Sequence, residues 1–147
     1  MVRRWMAVSD AILLVAERNG QIMGMTLAVA SRMVDEAGLV TPGHPVIPGL
    51  CHISLVFVVP DAWGRGIGAQ LLDAVLAEIR RREYAHVQLW THEDNVRARR
   101  LYVSRGFRLT DDRRANPAGE TIVRFERPAW VGDDPVENGE RAAEPRS

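Results

Sequence analysis

The chain has 147 residues, 46% of them hydrophobic and 26% charged, which are ordinary values for one globular domain with a sizeable core. Its 19 basic residues, all of them arginine, balance 19 acidic ones, so the charge predicts neither nucleic acid nor a membrane as a partner. The single cysteine excludes an intramolecular disulfide and the N-terminus has no apolar signal core, so we expect a cytoplasmic protein.

The first third of the chain predicts an antiparallel strand pair and a long loop. Residues 1–10 have no clear hydrophobic period. The apolar runs 11–17 and 22–30 are joined across Asn19 and Gly20, and Asn-Gly is the strongest short signal for a hairpin. Residues 34–49 contain three prolines and three glycines, which predicts a long loop of the kind that is often functional.

The middle of the chain predicts a strand, a glycine loop and a helix. An apolar run at 51–59 stops at Pro60, and glycines 64, 66 and 68 lead into a helical apolar pattern that continues to about residue 82. Free amides in the first turn of a helix, together with its dipole, favour a phosphate group as ligand. We therefore predict a phosphate-binding loop here.

The second half predicts a further strand, a helix and a final strand pair. Residues 85–91 form a strand, so that strand, helix and strand make a right-handed parallel crossover. Asn95 is expected to cap a helix that runs to residue 105 and ends at Gly106. Residues 107–110 and 121–127 are expected to pair across the loop 111–120. The acidic segment 128–147 predicts a disordered tail, which leaves a single domain at 1–127.

Two common nucleotide motifs fail in the glycine loop. A P-loop requires lysine and a hydroxyl residue after its last glycine, but Ala69 and Gln70 follow Gly68. A dinucleotide fingerprint requires a third glycine where Leu71 stands.

A second motif follows at residues 95–107, Asn-x-x-Ala-x-x-Leu-Tyr-x-x-x-Gly-Phe. With the glycine loop, it resembles the GNAT superfamily of acyl-CoA-dependent N-acyltransferases, over about residues 11–127. Trp63 departs from the family's usual Arg or Gln at the first position of the phosphate loop. The family's usual N-terminal strand and two helices also have no counterpart before residue 11. The start could be truncated, the loop 34–49 could rebuild the acceptor wall, or a second subunit in a homodimer could supply it.

The resemblance implies an α+β fold, with a mostly antiparallel sheet, a central splayed parallel strand pair and flanking helices. It implies acetyl-CoA as co-substrate and no metal. It assigns residues in three parts of the chain to the cofactor, namely the backbone of the central strand, the glycine loop and the cap of the second helix. These residues are Val56, Phe57, Val58, Gly64, Arg65, Gly66, Ile67, Gly68, Ala69 and Asn95. Asn95 could equally be only a cap.

The resemblance implies direct attack of a primary amine, from a small molecule or a peptide, on the thioester of acetyl-CoA. Tyr102 matches the family tyrosine that protonates the departing thiolate. His52 occupies a position where many members have a glutamate base, and strand alternation places it on the same face as Ser54 and Val56. Other interpretations stay open. His52 could have a structural role, and His92, Glu93 and Asp94 could be rival bases or simply a polar turn. The proton could also pass to water. So does a non-catalytic acyl-CoA-binding module.

Overall fold

The structure, a computed structural model, describes residues 2–8, 11–33 and 45–130, with the side chains of 3–8 left out of the description. Within this part, seven strands form one sheet in the order β1-β2-β3-β4-β5-β7-β6. The strands are β1 Val2–Val8, β2 Ala11–Arg18, β3 Gln21–Arg32, β4 Val46–Val58, β5 His86–His92, β6 Arg108–Ala115 and β7 Thr121–Pro128. The helices are α1 Ile67–Arg81 and α2 Val96–Ser104, and a short 3-10 turn spans Pro60–Ala62.

Strand β1 corrects the expectation that the family's usual N-terminal strand has no counterpart before residue 11. The segment has no clear hydrophobic period, yet it pairs antiparallel with β2, with Val2 opposite Ala16 and Val8 opposite Ala11. A β-bulge between Arg4 and Met6 interrupts the pairing, which is one reason why no period of two is visible in the sequence. Two residues separate β1 from β2 in the sequence.

The parallel pair β4 and β5 lies near the middle of the sheet and is short. It runs only from Leu50 opposite His86 to Ile53 opposite Leu89, although both strands continue beyond these residues. At the same place the pairing of β4 with β3 skips Ser54, which makes a β-bulge. The strands therefore splay apart after Ile53, as the resemblance implied, and leave one edge of residues 54–58 without a neighbouring strand.

Both helices cover the same face of the sheet. Residues of α1 and Tyr102 of α2 join one apolar cluster with side chains from β2, β3, β4, β5 and β7. The members on the central strands are directly opposed in register, as Ile53 is to Leu89 and Leu89 is to Phe125. No helix in the described ranges packs against the other face, to which His52, Gln88 and Arg124 belong.

Several boundaries differ from the predictions. Strand β4 begins at Val46, so the predicted loop 34–49 ends earlier, and its residues 34–44 lie outside the described ranges. Strand β6 extends to Ala115 through residues predicted as loop. It is the edge strand and its residues 111–115 are exposed, so pairing there required no apolar pattern.

The chain still contacts the sheet just beyond strand β7. Ala129 is buried and donates its backbone N–H to the carbonyl oxygen of Ala85 at 2.8 Å. The domain boundary at residue 127 stays a prediction, and most of the predicted tail, residues 131–147, lies outside the described ranges.

The described helices are too short or too polar to cross a membrane. Nor do His, Cys, Asp and Glu side chains of the described ranges come together in groups of three or more that could hold a metal ion.

Candidate active site

The glycine loop forms the start of α1 with unpaired backbone amides. Gly64 and Gly66 have φ angles of 81° and 77°, in the left-handed region that glycine adopts without a Cβ penalty. Gly66 is the N-cap, and the first helical bond is donated by Gln70 N–H to the Gly66 carbonyl oxygen at 3.0 Å. The three preceding amides of the first turn therefore have no partner in the helix, and no acidic residue stands in that turn.

A pocket of about 580 Å³ opens between the free edge of β4, the start of α1 and the start of α2. Ten of the twelve residues predicted for the site line it, all except Arg65 and His52. The complete lining is Val56, Phe57, Val58, Ala62, Trp63, Gly64, Gly66, Ile67, Gly68, Ala69, Asn95, Arg97, Ala98, Leu101 and Tyr102. Arg65 is exposed on the loop beside it.

The free edge of β4 offers backbone groups at alternate residues. Val59 donates its N–H to the Met23 carbonyl oxygen at 2.9 Å, so alternation directs the backbone groups of Val58 and Val56 away from β3 and toward the splay. The groups of Phe57 point to β3, and only its side chain lines the pocket. The Val58 carbonyl accepts a hydrogen bond from Trp63 Nε1 at 2.8 Å. Trp63 thus occupies one acceptor of this edge and leaves the other groups of Val56 and Val58 open.

The start of α2 supplies the wall opposite the glycine loop. Asn95 caps the helix, because its Oδ1 accepts the Ala98 N–H at 3.1 Å, and it lines the pocket as well. Both roles considered for this residue are therefore compatible with its place. Sequence reasoning missed Ala98 and Leu101, although both are motif positions that share a helical face with Tyr102.

Arg97 is a further lining residue that the sequence analysis missed. One of its guanidinium nitrogens lies 4.0 Å from where a Cβ on Gly64 would stand, so it faces the glycine loop across the pocket. The sequence signal that could have identified Arg97 as a lining residue was its position, two residues after Asn95. Arg97 brings positive charge to the same end of the pocket as the free amides of α1.

Tyr102 combines burial with a place on the pocket wall. The residue is 8% exposed, and its ring packs edge-on to Phe107 and tilted to Phe125, with ring centroids 5.9 and 6.0 Å away. Burial raises the pKa of the Tyr102 phenol above its usual value of 10, so the hydroxyl keeps its proton at neutral pH. A protonated phenol at a pocket wall can act as a proton donor.

His52 lies outside the pocket, on the sheet face opposite the helices. The prediction that it shares a face with Val56 is wrong, because the bulge at Ser54 reverses the alternation and Val56 packs against the same core as Ile53. Burial, and then the charge of Arg114, lower the pKa of His52. Its Nδ1 lies 3.5 Å from Gln88 Nε2.

The rival base residues around His92 are engaged in structure. His92 Nε2 lies 3.0 Å from Glu120 Oε1, and Glu93 forms an ion pair with Arg113. These contacts tie the end of β5 to strand β6 and to the turn between β6 and β7. None of these residues lines the pocket, which favours the polar-turn interpretation.

The family model described as the Acetyltransferase (GNAT) family matches residues 2–107. The chain belongs to this GNAT acetyltransferase family. The resemblance recognised from the two motifs is thereby confirmed, and so is the predicted fold class. A "Mycothiol acetyltransferase" of Parafrankia sp. is 38% identical over 96 residues, which cover 63% of this chain and 30% of that protein. The protein of the same name from Acidothermus cellulolyticus is 35% identical over 94 residues, covering 63% and 28%.

Solved GNAT structures share the fold at low sequence identity. The ribosomal-protein-S18-alanine N-acetyltransferase from Escherichia coli superimposes with a TM-score of 0.65 at 20% identity, covering 87% of this chain and 76% of that one. An N-acetyltransferase from Staphylococcus aureus Mu50 gives 0.66 at 18%, covering 82% and 68%. The PaiA N-acetyltransferase from Thermoplasma acidophilum, solved in complex with coenzyme A, gives 0.57 at 16%, covering 78% and 60%. The alignments with the two mycothiol acetyltransferases span less than a third of those proteins.

Proposed function

We propose that this GNAT domain is an N-acetyltransferase that moves an acetyl group from acetyl-CoA to a primary amine. The observation that carries the proposal is the pocket at the strand splay, which is lined both by the glycine loop and by Tyr102. One similar protein is named as a mycothiol acetyltransferase and another as a ribosomal-protein-S18-alanine N-acetyltransferase, so the acceptor is proposed only as an amine of a small molecule or a peptide.

The residues present fit acetyl-CoA. A Cβ added at Gly66 would meet nothing within 4 Å, so the space beside the loop is open, and the free amides of α1 point into the pocket's end near Arg97. These groups would hold the pyrophosphate. The unpaired backbone groups of Val56 and Val58 would pair with the amides of the pantetheine arm, as an added strand does at a sheet edge.

The chemistry needs a donor for the thiolate and a route for the amine proton. The amine nitrogen attacks the thioester carbon, the C–N bond forms and the C–S bond breaks, and Tyr102 gives its proton to the leaving sulfur. A phenol is a suitable acid for a thiolate whose conjugate acid has a pKa near 8.5. The proton of the attacking amine leaves through His52 or to water.

One observation favours the alternative, a non-catalytic acyl-CoA-binding module. The lining of the pocket, within the described ranges, includes no aspartate or glutamate that could serve as a base. Such a module would bind acetyl-CoA and transfer the acetyl group to no amine. We rank the enzyme first, because Tyr102 lines the pocket and burial favours its protonated phenol, which supports the role of an acid.

Calorimetric titration with acetyl-CoA, with a thermal melt beside it, tests the binding site. A ligand at about 100 times its dissociation constant stabilises the fold by about 2.7 kcal/mol, which a melt resolves easily. The test variant is Gly66→Asp, since aspartate tolerates a positive φ better than most residues and sets a carboxylate against the phosphates. We expect a loss of affinity of about tenfold or more, which corresponds to ~1.4 kcal/mol.

Gly119→Asp is the matched control. Gly119 has a φ of 83° and open space around its Cβ position, as Gly66 has, but it lies in the turn between β6 and β7. Unchanged affinity in this variant would exclude backbone strain and net charge as causes. No binding to the wild-type protein would overturn the proposal. Binding without release of free CoA on a broad amine panel would favour the module.

A further inference from the structure

A chain of polar side chains crosses the sheet face that no described helix covers. Gln88 Nε2 lies 3.2 Å from Ser31 Oγ and 3.5 Å from His52 Nδ1. Its other amide atom, Oε1, accepts from Arg124 Nη1 at 3.4 Å. The chain thus links β3, β4, β5 and β7 beside the point where the parallel pair separates.

The donor and acceptor roles in this chain follow from arginine chemistry. A guanidinium has only donors, so the atom of Gln88 that faces Arg124 must be the amide oxygen. The NH₂ group of Gln88 is then directed to Ser31 and His52. Since that group can only donate, His52 Nδ1 must be the acceptor and carry no proton. In a neutral imidazole the proton then resides on Nε2.

Arg124 is itself held in place from two sides. Its Nε donates to Asp112 Oδ2 at 2.6 Å and its Nη1 to Glu126 Oε1 at 2.8 Å, and its side chain is 21% exposed. Arg124 is thus paired with Glu126 of its own strand β7 and with Asp112 of β6, and the charged group that acts on His52 is Arg114 of β6. Arg114 lies over the Trp90 ring at 4.3 Å. Its positive charge disfavours a protonated His52.

We propose that Arg124 acts through Gln88 as a positioning residue that holds His52 as the neutral imidazole with its proton on Nε2. The consequence for catalysis rests on the proposed function. A ring nitrogen that already carries a proton cannot accept one, so Nε2 of His52 does not serve as the base for the attacking amine. The proton of the attacking amine then passes to water.

The tautomer can be read directly by NMR on the full chain labelled with ¹⁵N-histidine. Long-range ¹H–¹⁵N correlations distinguish the two tautomers, and the signals of His52 are those missing in His52→Gln. We expect the Nε2–H form in the wild-type protein. Arg124→Met keeps the aliphatic stem but frees Gln88 to turn, so it should give a mixture of tautomers.

Gln88→Glu provides a second, opposite change. A carboxylate beside Nδ1 favours a proton there, so this variant should raise the NMR-measured pKa of His52 by roughly one to three units. Arg113→Gln is the matched control, because Arg113 also lies on the β6–β7 side and forms an ion pair, with Glu93, outside the chain of contacts to His52. An Nδ1–H form in the wild type, or an unchanged tautomer in Arg124→Met together with an unchanged pKa in Gln88→Glu, would overturn the proposal.

The pH dependence of kcat/KM gives a further test of the role of His52, and this test requires that the protein transfers acetyl groups. If His52 takes no proton from the amine, the slope of log kcat/KM against pH should not change at the pKa of His52. A base role would steepen that slope by one unit below this pKa, and such steepening would overturn the exclusion of His52 as the base. If no amine is acetylated, the proposed function fails, while the NMR arm still decides the tautomer.

Discussion

At the scale of single residues, the two candidate catalytic groups approach the splay from opposite faces of the sheet. Tyr102 belongs to the face covered by the helices, and His52 belongs to the uncovered face with Gln88. This separation places the sheet between the two side chains. It also allows each group to be tested without disturbing the other.

Tyr102→Phe should lower kcat by about 100-fold or more, with little change in the dissociation constant for acetyl-CoA, because general acids contribute about 10²–10⁴ in rate. The substitution keeps the ring contacts with Phe107 and Phe125, so the fold should persist. Steady-state kinetics and calorimetry on the same preparation measure both quantities. Tyr84→Phe removes a hydroxyl outside the pocket and serves as control; a normal kcat in Tyr102→Phe would contradict the acid role.

Cys51 should be inert toward thiol reagents in the folded protein. The side chain is fully buried, and burial raises the pKa of the thiol to about 12, so almost no thiolate is present near neutral pH. We expect alkylation to track the fraction unfolded in a urea series. Ser104→Cys adds an exposed thiol to the same chain and should react at once. Rapid labelling of Cys51 without denaturant would contradict the core assignment.

At the scale of elements, strand β4 determines the site, because one strand carries the bulge, the splay and the free edge. Its neighbour β3 must approach it closely at Gly24, which lies opposite Val58. A Cβ at Gly24 would stand 2.5 Å from the Phe57 carbonyl oxygen and 3.1 Å from Leu71 Cδ1. The small residue therefore permits both the strand pairing and the packing of α1.

Gly24→Ala should destabilise the fold by about 1–3 kcal/mol through overpacking, measured by urea denaturation. Gly68→Ala is the comparison, since its Cβ would lie 3.7 Å from Leu101 and Val58 side chains, an ordinary contact, and alanine favours a helix. We expect this second variant to be at least as stable as the wild type. Equal stabilities of the two variants would show that the close approach at Gly24 relaxes without cost.

At the scale of the whole molecule, the sequence predicted what local patterns encode. The hairpin at Asn19 and Gly20, both helices and the glycine loop are local, and the structure has them. Strand β1 and the end of β6 were missed, because edge strands pair through their backbone and need no apolar period. The face of His52 was predicted wrongly because a one-residue bulge has no local signal. The chain of contacts from Arg124 to His52 joins residues far apart in sequence.

The stability of the molecule should depend on pH partly through His52. Its pKa is lowered in the folded state, so below about pH 6.5 the unfolded chain binds a proton that the folded chain resists. The unfolded state then holds more protons, and the free energy of unfolding falls as the pH falls, while above this range the contribution is complete. We expect wild type to lose stability relative to His52→Gln between pH 7 and 5, and their difference to be constant above about pH 7.5. Urea denaturation of both proteins across this range measures the effect. A difference that does not change with pH would mean that His52 ionises equally in the folded and unfolded chains, which its burial and the nearby charge of Arg114 argue against.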